Sequence, residues 1–228
     1  MAMELEKVVP FGRSLDEYRH MFALSRKDLD QRILGVADGP ASFNAEMSAL
    51  GKAVVSVDPL YVFRAEAIER QFYAVLDDIL SQVKASPGDW VWSYHRSPEH
   101  LKENRVNVLR RFVADYEEGR AQGRYIAGAL PDLPLASGRF GLALCSHFLF
   151  LYSDRLTYGF HRASVLEMLR VASEVRVFPL LTLQHRVSPY VEPLMEDLGF
   201  RGFRVRVETV DYELQRGGNE MLRIRRIA

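Results

Sequence analysis

Cysteine, net charge and long apolar runs are all scarce in this sequence, and each scarcity excludes a class of protein. Cys145 is the one cysteine in 228 residues, so an internal disulfide and a zinc site built on cysteines are both excluded. Lys plus Arg and Asp plus Glu number 30 each, so no overall field favours nucleic acid or an anionic membrane. No apolar run approaches the roughly 20 residues of a membrane span, and the N-terminal residues lack a signal-peptide pattern. We therefore expect a cytoplasmic protein that binds neither nucleic acid nor membrane.

Three common enzyme signatures are also missing. The sequence contains no G-x-S-x-G, no Walker loop and no H-E-x-x-H, which argues against serine hydrolases of that type, P-loop nucleotide hydrolases and zinc peptidases. No metal site is predicted.

The apolar pattern predicts alternating strands and helices. A strand at residues 32–36, a helix to about residue 50 and a strand at 53–57 make a βαβ unit, which implies a parallel sheet covered on both faces. We predict a single α/β domain over residues 1–228, with a doubly wound, seven-stranded, mostly parallel sheet, helices on both faces and a helical, aromatic insertion at about 64–122. The remaining predicted strands are 124–127, 140–145, 174–178, and an antiparallel C-terminal hairpin of 203–214 with 220–227.

The turn after the first strand, Ala37-Asp38-Gly39-Pro40-Ala41, is built from small residues. Such a turn lies beside the crevice where α/β sheets bind ligands, and it lets the backbone come close to one. Asp58 ends the second strand, where a carboxylate can accept hydrogen bonds from both hydroxyls of a ribose. Together these features indicate an adenosine-containing ligand.

Two cofactors fit that description, and the turn favours one of them. A dinucleotide fingerprint would place Gly or Ala where Ser42 stands, and Pro40 removes an N–H donor that a pyrophosphate would use. The spacing of Ala37, Gly39 and Ala41 leaves room for a cofactor without phosphates.

At these residues the chain resembles the class I S-adenosylmethionine-dependent methyltransferases, from Arg32 to its end. The turn at 37–41 matches the family's glycine-rich turn, Asp58 its ribose-binding acid, residues 133–135 with 140–144 its approach to strand four, and the hairpin its reversed last strand pair. The resemblance implies S-adenosyl-L-methionine as cofactor and methyl transfer to a small-molecule acceptor. The implied cofactor-binding residues are Ala37, Asp38, Gly39, Pro40, Ala41, Asp58, Pro59, Ala129, Leu130, Cys145 and Ser146.

Three positions depart from the family's pattern. Gly35 stands where strand one often carries an acid, Gly141 stands for the aspartate before strand four, and Gly128 replaces the acid that follows strand three. Asp38 is the candidate substitute for the acid missing at Gly35. These departures keep open a non-catalytic, nucleoside-binding regulatory module. An NAD-dependent oxidoreductase is the other alternative, which the Ser42 spacing and the hairpin disfavour.

His147 is the candidate general base, because it follows strand four, where substrate lies in this fold, and its ordinary pKa is near neutral. A structural role in the loop is the alternative. Cys145 and His147, at i and i+2, would point to the same side of a strand and could also form a nucleophile–base pair, but the sequence supplies neither an orienting partner nor an oxyanion hole. The candidate substrate-pocket residues are Trp92, Tyr94 and His95 in the insertion, which could instead be core, and Tyr152 and His161 after strand four.

Overall fold

A seven-stranded sheet organises the chain, and this computed structural model describes residues 10–227 of it. The strand order is β3-β2-β1-β4-β5-β7-β6. Strands β1 to β5 run parallel, whereas β7 is antiparallel to both β5 and β6. This confirms the predicted fold class. The strands are β1 Ile33–Val36, β2 Val54–Val57, β3 Tyr125–Ile126, β4 Phe140–Ser146, β5 Ala172–Phe178, β6 Phe203–Thr209 and β7 Glu220–Arg226.

Helices cover both faces of the sheet because successive strand residues point to opposite sides. Ile33 and Leu144 pack with helices on one face, whereas Leu34 and Cys145 pack on the other. The helices α1, α3, α4 and α5 contribute to the first core, and α6 and α7 to the second. Their bounds are α1 Leu15–Met21, α2 Arg26–Leu29, α3 Phe43–Ala49, α4 Ala65–Ala85, α5 Pro98–Ala121, α6 Tyr158–Val171 and α7 Val191–Phe200.

The segment between β2 and β3 forms the two longest helices, as its pattern predicted. Buried side chains of α4 recur at Ile68, Phe72, Leu76 and Ile79, which is the spacing of one helical face. Residues of α4 and α5 contact each other and cover the sheet face on which α1 lies. No helix within residues 10–227 is both long enough and apolar enough to cross a membrane.

The C-terminal hairpin is shorter than the sequence predicted. Strand β6 ends at Thr209, and residues 210–214 leave the sheet although their apolar alternation continues. These residues leave the sheet because Val210, Tyr212 and Leu214 are buried against the first core instead. The Leu214 carbonyl accepts a hydrogen bond of 2.9 Å from the Val91 N–H. The connection therefore crosses to the insertion rather than forming a tight turn.

Candidate cofactor and acceptor site

The turn after β1 adopts two left-handed backbone conformations. Ala37 has φ 52° and Gly39 has φ 53°, a region that only glycine enters without steric cost. Pro40 and Ala41 are buried, and a side chain on Gly12 would overlap their backbone. The N-terminal segment thus packs against the outer side of this turn. Pro40 and Ala41 do not line the cavity described below, and their contact with a cofactor stays a prediction.

The Asp58 carboxylate fixes the turn to the end of β2. Its two oxygens accept hydrogen bonds from the Gly39 N–H and the Leu60 N–H, both at 2.8 Å. Burial raises the pKa of Asp58 to about 6, although the two backbone donors oppose that shift. Asp58 is 6% exposed and lies on the cavity wall. A carboxylate has about four lone-pair directions, so it can still accept bonds from a ligand.

The Asp38 carboxylate occupies the space above Gly35. A side chain built on Gly35 would overlap all three terminal atoms of the Asp38 carboxylate. Asp38 accepts hydrogen bonds from the Tyr18 hydroxyl and from the Ser56 hydroxyl, the latter at 2.5 Å. Burial raises the pKa of Asp38, against the effect of these two bonds. The Asp38 carboxylate therefore fills the space that a side chain at Gly35 would need.

A cavity of about 280 Å³ opens at the carboxyl ends of β1, β2 and β4. It passes from Asp58 along the turn to the residues that follow β4, and it continues against α4 and α5. Parallel strands bring these ends to one edge of the sheet, which is where such folds bind ligands. The predicted site residues that line the cavity are Ala37, Asp38, Gly39, Asp58, Pro59, Ala129, Leu130, Ser146, His147 and Tyr152.

His147 lines this cavity in a left-handed conformation, with φ 51°. The backbone N–H of His147 donates to the Phe178 carbonyl at 2.7 Å, and the imidazole Nδ1 lies 2.8 Å from the Ser146 hydroxyl. Burial, and then the Arg13 and Arg105 guanidinium groups, hold the pKa of His147 well below its ordinary value. The imidazole is therefore neutral at physiological pH and a weak proton acceptor in the free protein.

Cys145 lies on the other face of the sheet and does not line the cavity. Burial raises the pKa of its thiol to about 12, which makes a thiolate nucleophile unfavourable. The cavity therefore gives no support to the predicted cofactor contact of Cys145, and the geometry gives none to the nucleophile–base alternative. That alternative placed Cys145 and His147 on one side of a strand, but β4 ends at Ser146 and the left-handed turn redirects His147.

Four predicted pocket residues serve other contacts and do not line the cavity. Tyr94 donates to Asp16 at 2.7 Å, and Trp92 packs against the first core. His95 is fully buried and bonds the Tyr212 hydroxyl at 3.0 Å. His161 lies on the far face, where its Nδ1 is 2.8 Å from the Thr157 carbonyl oxygen. The aromatic segment is thus mainly core of the insertion, as the alternative interpretation held, with Trp90 as its contribution to the cavity.

Arg13 and Arg105 also line the cavity. Neither residue was among the sites predicted from the sequence. Arg105 interrupts the buried face of α5 between Leu101 and Leu109, and a cation on an apolar helical stripe is the signal that could have identified it. Its Nη1 donates to both carboxylate oxygens of Glu17, at 2.8 and 3.0 Å. Burial alone would raise the pKa of Glu17, but Arg105 and His95 hold that pKa well below its ordinary value.

Comparison with known proteins identifies the family. No protein-family model matches the chain. It is 32% identical over 225 residues to the uncharacterized protein MJ0045 of Methanocaldococcus jannaschii, which covers 98% of this chain and 99% of that protein. The chain belongs to the MJ0045 family.

Among solved structures, the MJ0045-family chain is similar to the PH0226 protein of Pyrococcus horikoshii OT3. The TM-score is 0.50, the identity 11%, and the match covers 93% of this chain and 89% of that one. A TehB-like S-adenosylmethionine-dependent methyltransferase from Corynebacterium glutamicum gives a TM-score of 0.49 at 10% identity, covering 93% and 87%. Such low identities speak to fold alone. The strand order is that of the Rossmann-like fold of class I methyltransferases.

Proposed function

We propose that this protein transfers a methyl group from S-adenosylmethionine to a small-molecule acceptor. The observation that carries the proposal is the continuity of the cavity, which joins the carboxylates of Asp38 and Asp58 to the position of His147 after β4. Asp58 would accept bonds from the ribose hydroxyls, and Asp38 would face the ammonium group of the cofactor. Ala129 and Leu130 would contact the adenine.

The residues at this end of the cavity suit a cationic nucleoside better than a dinucleotide. Gly39 leaves open space where a side chain would project, so a ligand can approach the turn closely. Asp38 and Asp58 both carry buried carboxylates at the cavity wall. The Asp38 carboxylate lies next to the turn that a pyrophosphate would approach, and like charges repel strongly in a site of low dielectric. Asp58 would suit the ribose of either cofactor, so Asp38 and Pro40 are the residues that favour S-adenosylmethionine over NAD.

When bound, S-adenosylmethionine supplies an electrophilic methyl group on a sulfonium sulfur. The protein would orient the acceptor for in-line attack. It would also exclude water, because the part of the cavity wall that includes Trp90 and Leu101 is mostly apolar. His147 would hold the acceptor through its neutral imidazole. Any proton that the acceptor releases would pass to His147 or to water.

Thermal denaturation with three ligands tests the proposal. At about 100 times its dissociation constant, a ligand of the native state stabilises by about 2.7 kcal/mol. We expect S-adenosylmethionine and S-adenosylhomocysteine to raise the melting temperature and NAD to leave it unchanged. Stabilisation by NAD alone would contradict the proposal. Stabilisation by the adenosyl compounds, without methylation of any acceptor in a radiolabelled assay, would favour the non-catalytic module.

A further inference from the structure

We infer that the methyl acceptor is an apolar carboxylic acid whose carboxylate is bound by Arg13 and Arg105. This inference rests on the proposed function and names its substrate class. Both arginines line the cavity on the side where α1 and α5 meet.

Among residues 10–227, the two guanidinium groups have one counter-charge between them, that of Glu17. Glu17 forms an ion pair with Arg105 at 2.8 Å, and the side chains of Arg105 and Glu17 are 1% and 0% exposed. Arg13 is 12% exposed, and its Nε lies 4.0 Å from the same carboxylate, at the limit of an ion pair. Two cations and one anion leave this part of the wall with one positive charge in excess. A buried charge without a partner is costly, so a bound anion would stabilise it.

Arg13 also has a hydrogen-bond donor to spare. Its Nη1 donates to the carbonyls of Phe11 and Gly12, but its buried Nε finds no acceptor among residues 10–227. Guanidinium groups bind carboxylates through two parallel N–H donors. Because Arg13 lines the cavity, a carboxylate bound there would lie beside a guanidinium whose donors the described residues satisfy only in part.

The excess charge acts on its neighbours. Burial and the Arg105 guanidinium lower the pKa of Arg13 to about 10, and both arginines lower the pKa of His147. These effects indicate positive potential where the acceptor would lie. A bound carboxylate would offset this positive potential. It would also raise the pKa of His147 toward the range in which the imidazole can accept a proton.

The cavity wall beside the two arginines is otherwise mostly apolar. The part of the acid beyond its carboxylate should therefore be apolar as well. A single positive charge in excess suits a monoanion better than a phosphate dianion. An aromatic or branched aliphatic carboxylate would place its body against side chains from α4, the α4–α5 connection, α5 and the β6–β7 connection. Those side chains are Ile79, Leu80, Val83, Trp90, Leu101 and Leu214.

Matched acid and amide pairs test this inference on the full chain. We would titrate the protein, saturated with S-adenosylhomocysteine, with benzoate, 2-naphthoate and 4-phenylbenzoate, each against its carboxamide. We expect at least one acid to bind about tenfold or more tightly than its amide, which is one charge-assisted bond. No preference for the acid in any pair would overturn the inference.

Variants of Arg13 separate this role from a role toward the cofactor. We expect Arg13→Gln to abolish the preference for the acid, Arg13→Lys to retain part of it, and both to bind S-adenosylhomocysteine within about twofold of the wild type. Arg206→Gln, on the exposed surface of β6, is the matched control and should keep the preference. If Arg13→Gln instead weakens S-adenosylhomocysteine and leaves the acid preference intact, Arg13 binds the carboxylate of the cofactor and the inference fails. If the wild type does not bind S-adenosylhomocysteine at all, the proposed function fails first.

Discussion

Replacement of Asp58 by alanine removes the group that we propose binds the ribose of the cofactor. A hydrogen bond to a charged group contributes about 1.5–3 kcal/mol, and a ribose offers two donors to this carboxylate. The loss of one such bond already weakens binding more than about tenfold. We therefore predict that Asp58→Ala weakens S-adenosylhomocysteine binding by at least about tenfold, measured by calorimetry.

The same change should affect stability much less than affinity. Burial raises the pKa of Asp58 from 3.8 to about 6, so the folded state disfavours the ionised carboxylate by about 3 kcal/mol. Alanine removes this cost together with the bonds to Gly39 and Leu60, and the two effects oppose each other. Urea denaturation of the free proteins would check that the lost affinity does not arise from unfolding.

Ionisation of Asp58 should change stability and cofactor affinity in opposite directions as the pH rises. Because the folded pKa of Asp58 is raised, its contribution to stability is greatest below about pH 4 and is lost as the pH rises through about 6. Ribose hydroxyls donate to the ionised form, so affinity should fall as the pH drops below about 6, by up to about tenfold per unit. Asp58→Asn should remove this dependence. Wild-type affinity in Asp58→Ala, or a flat pH profile in the wild type, would refute the role assigned to Asp58.

Three further variants, and one control in α3, test other parts of the molecule. Ala37→Gly should stabilise the protein by up to about 1 kcal/mol because it relieves a left-handed alanine, whereas Ala45→Gly in α3 should destabilise it by about 0.5–1 kcal/mol in the same denaturation assay. Glu17→Gln leaves the buried Arg105 without its counter-charge and should cost about 3–5 kcal/mol of unfolding free energy; a cost below about 1 kcal/mol would show that the ion pair is not needed. His147→Ala should keep S-adenosylhomocysteine affinity and lose turnover in a radiolabelled methyl-transfer assay, and full turnover would assign His147 a structural role.

Most of the fold could be predicted because its signals are local. Apolar runs bounded by small residues or by Asp-Pro marked β1 and β2, and the helical periodicity of residues 65–85 marked α4. Asp58 could be selected because a carboxylate at the end of β2 lies beside the crevice of such a sheet, and it does line the cavity. The end of β6 was not predictable, since residues 210–214 keep an alternating apolar pattern while packing on the insertion instead of β7.

The part of the cavity around Arg105 and His147 depends on long-range contacts, which a single sequence does not show. Arg105 and Glu17 are 88 residues apart in the chain and meet only because α5 packs beside α1. The direction of His147 depends on one left-handed residue, which reversed the expected relation to Cys145. Tyr94 and His95 were assigned to a pocket because they are aromatic, but their partners lie in the N-terminal helix and the C-terminal connection.

A crystal structure of the protein with S-adenosylhomocysteine tests the central claim most directly. We predict that the ribose hydroxyls lie within hydrogen-bond distance of the Asp58 carboxylate, and that the sulfur points along the cavity toward His147. Density for the nucleoside elsewhere, or for the ribose turned away from Asp58, would contradict the account.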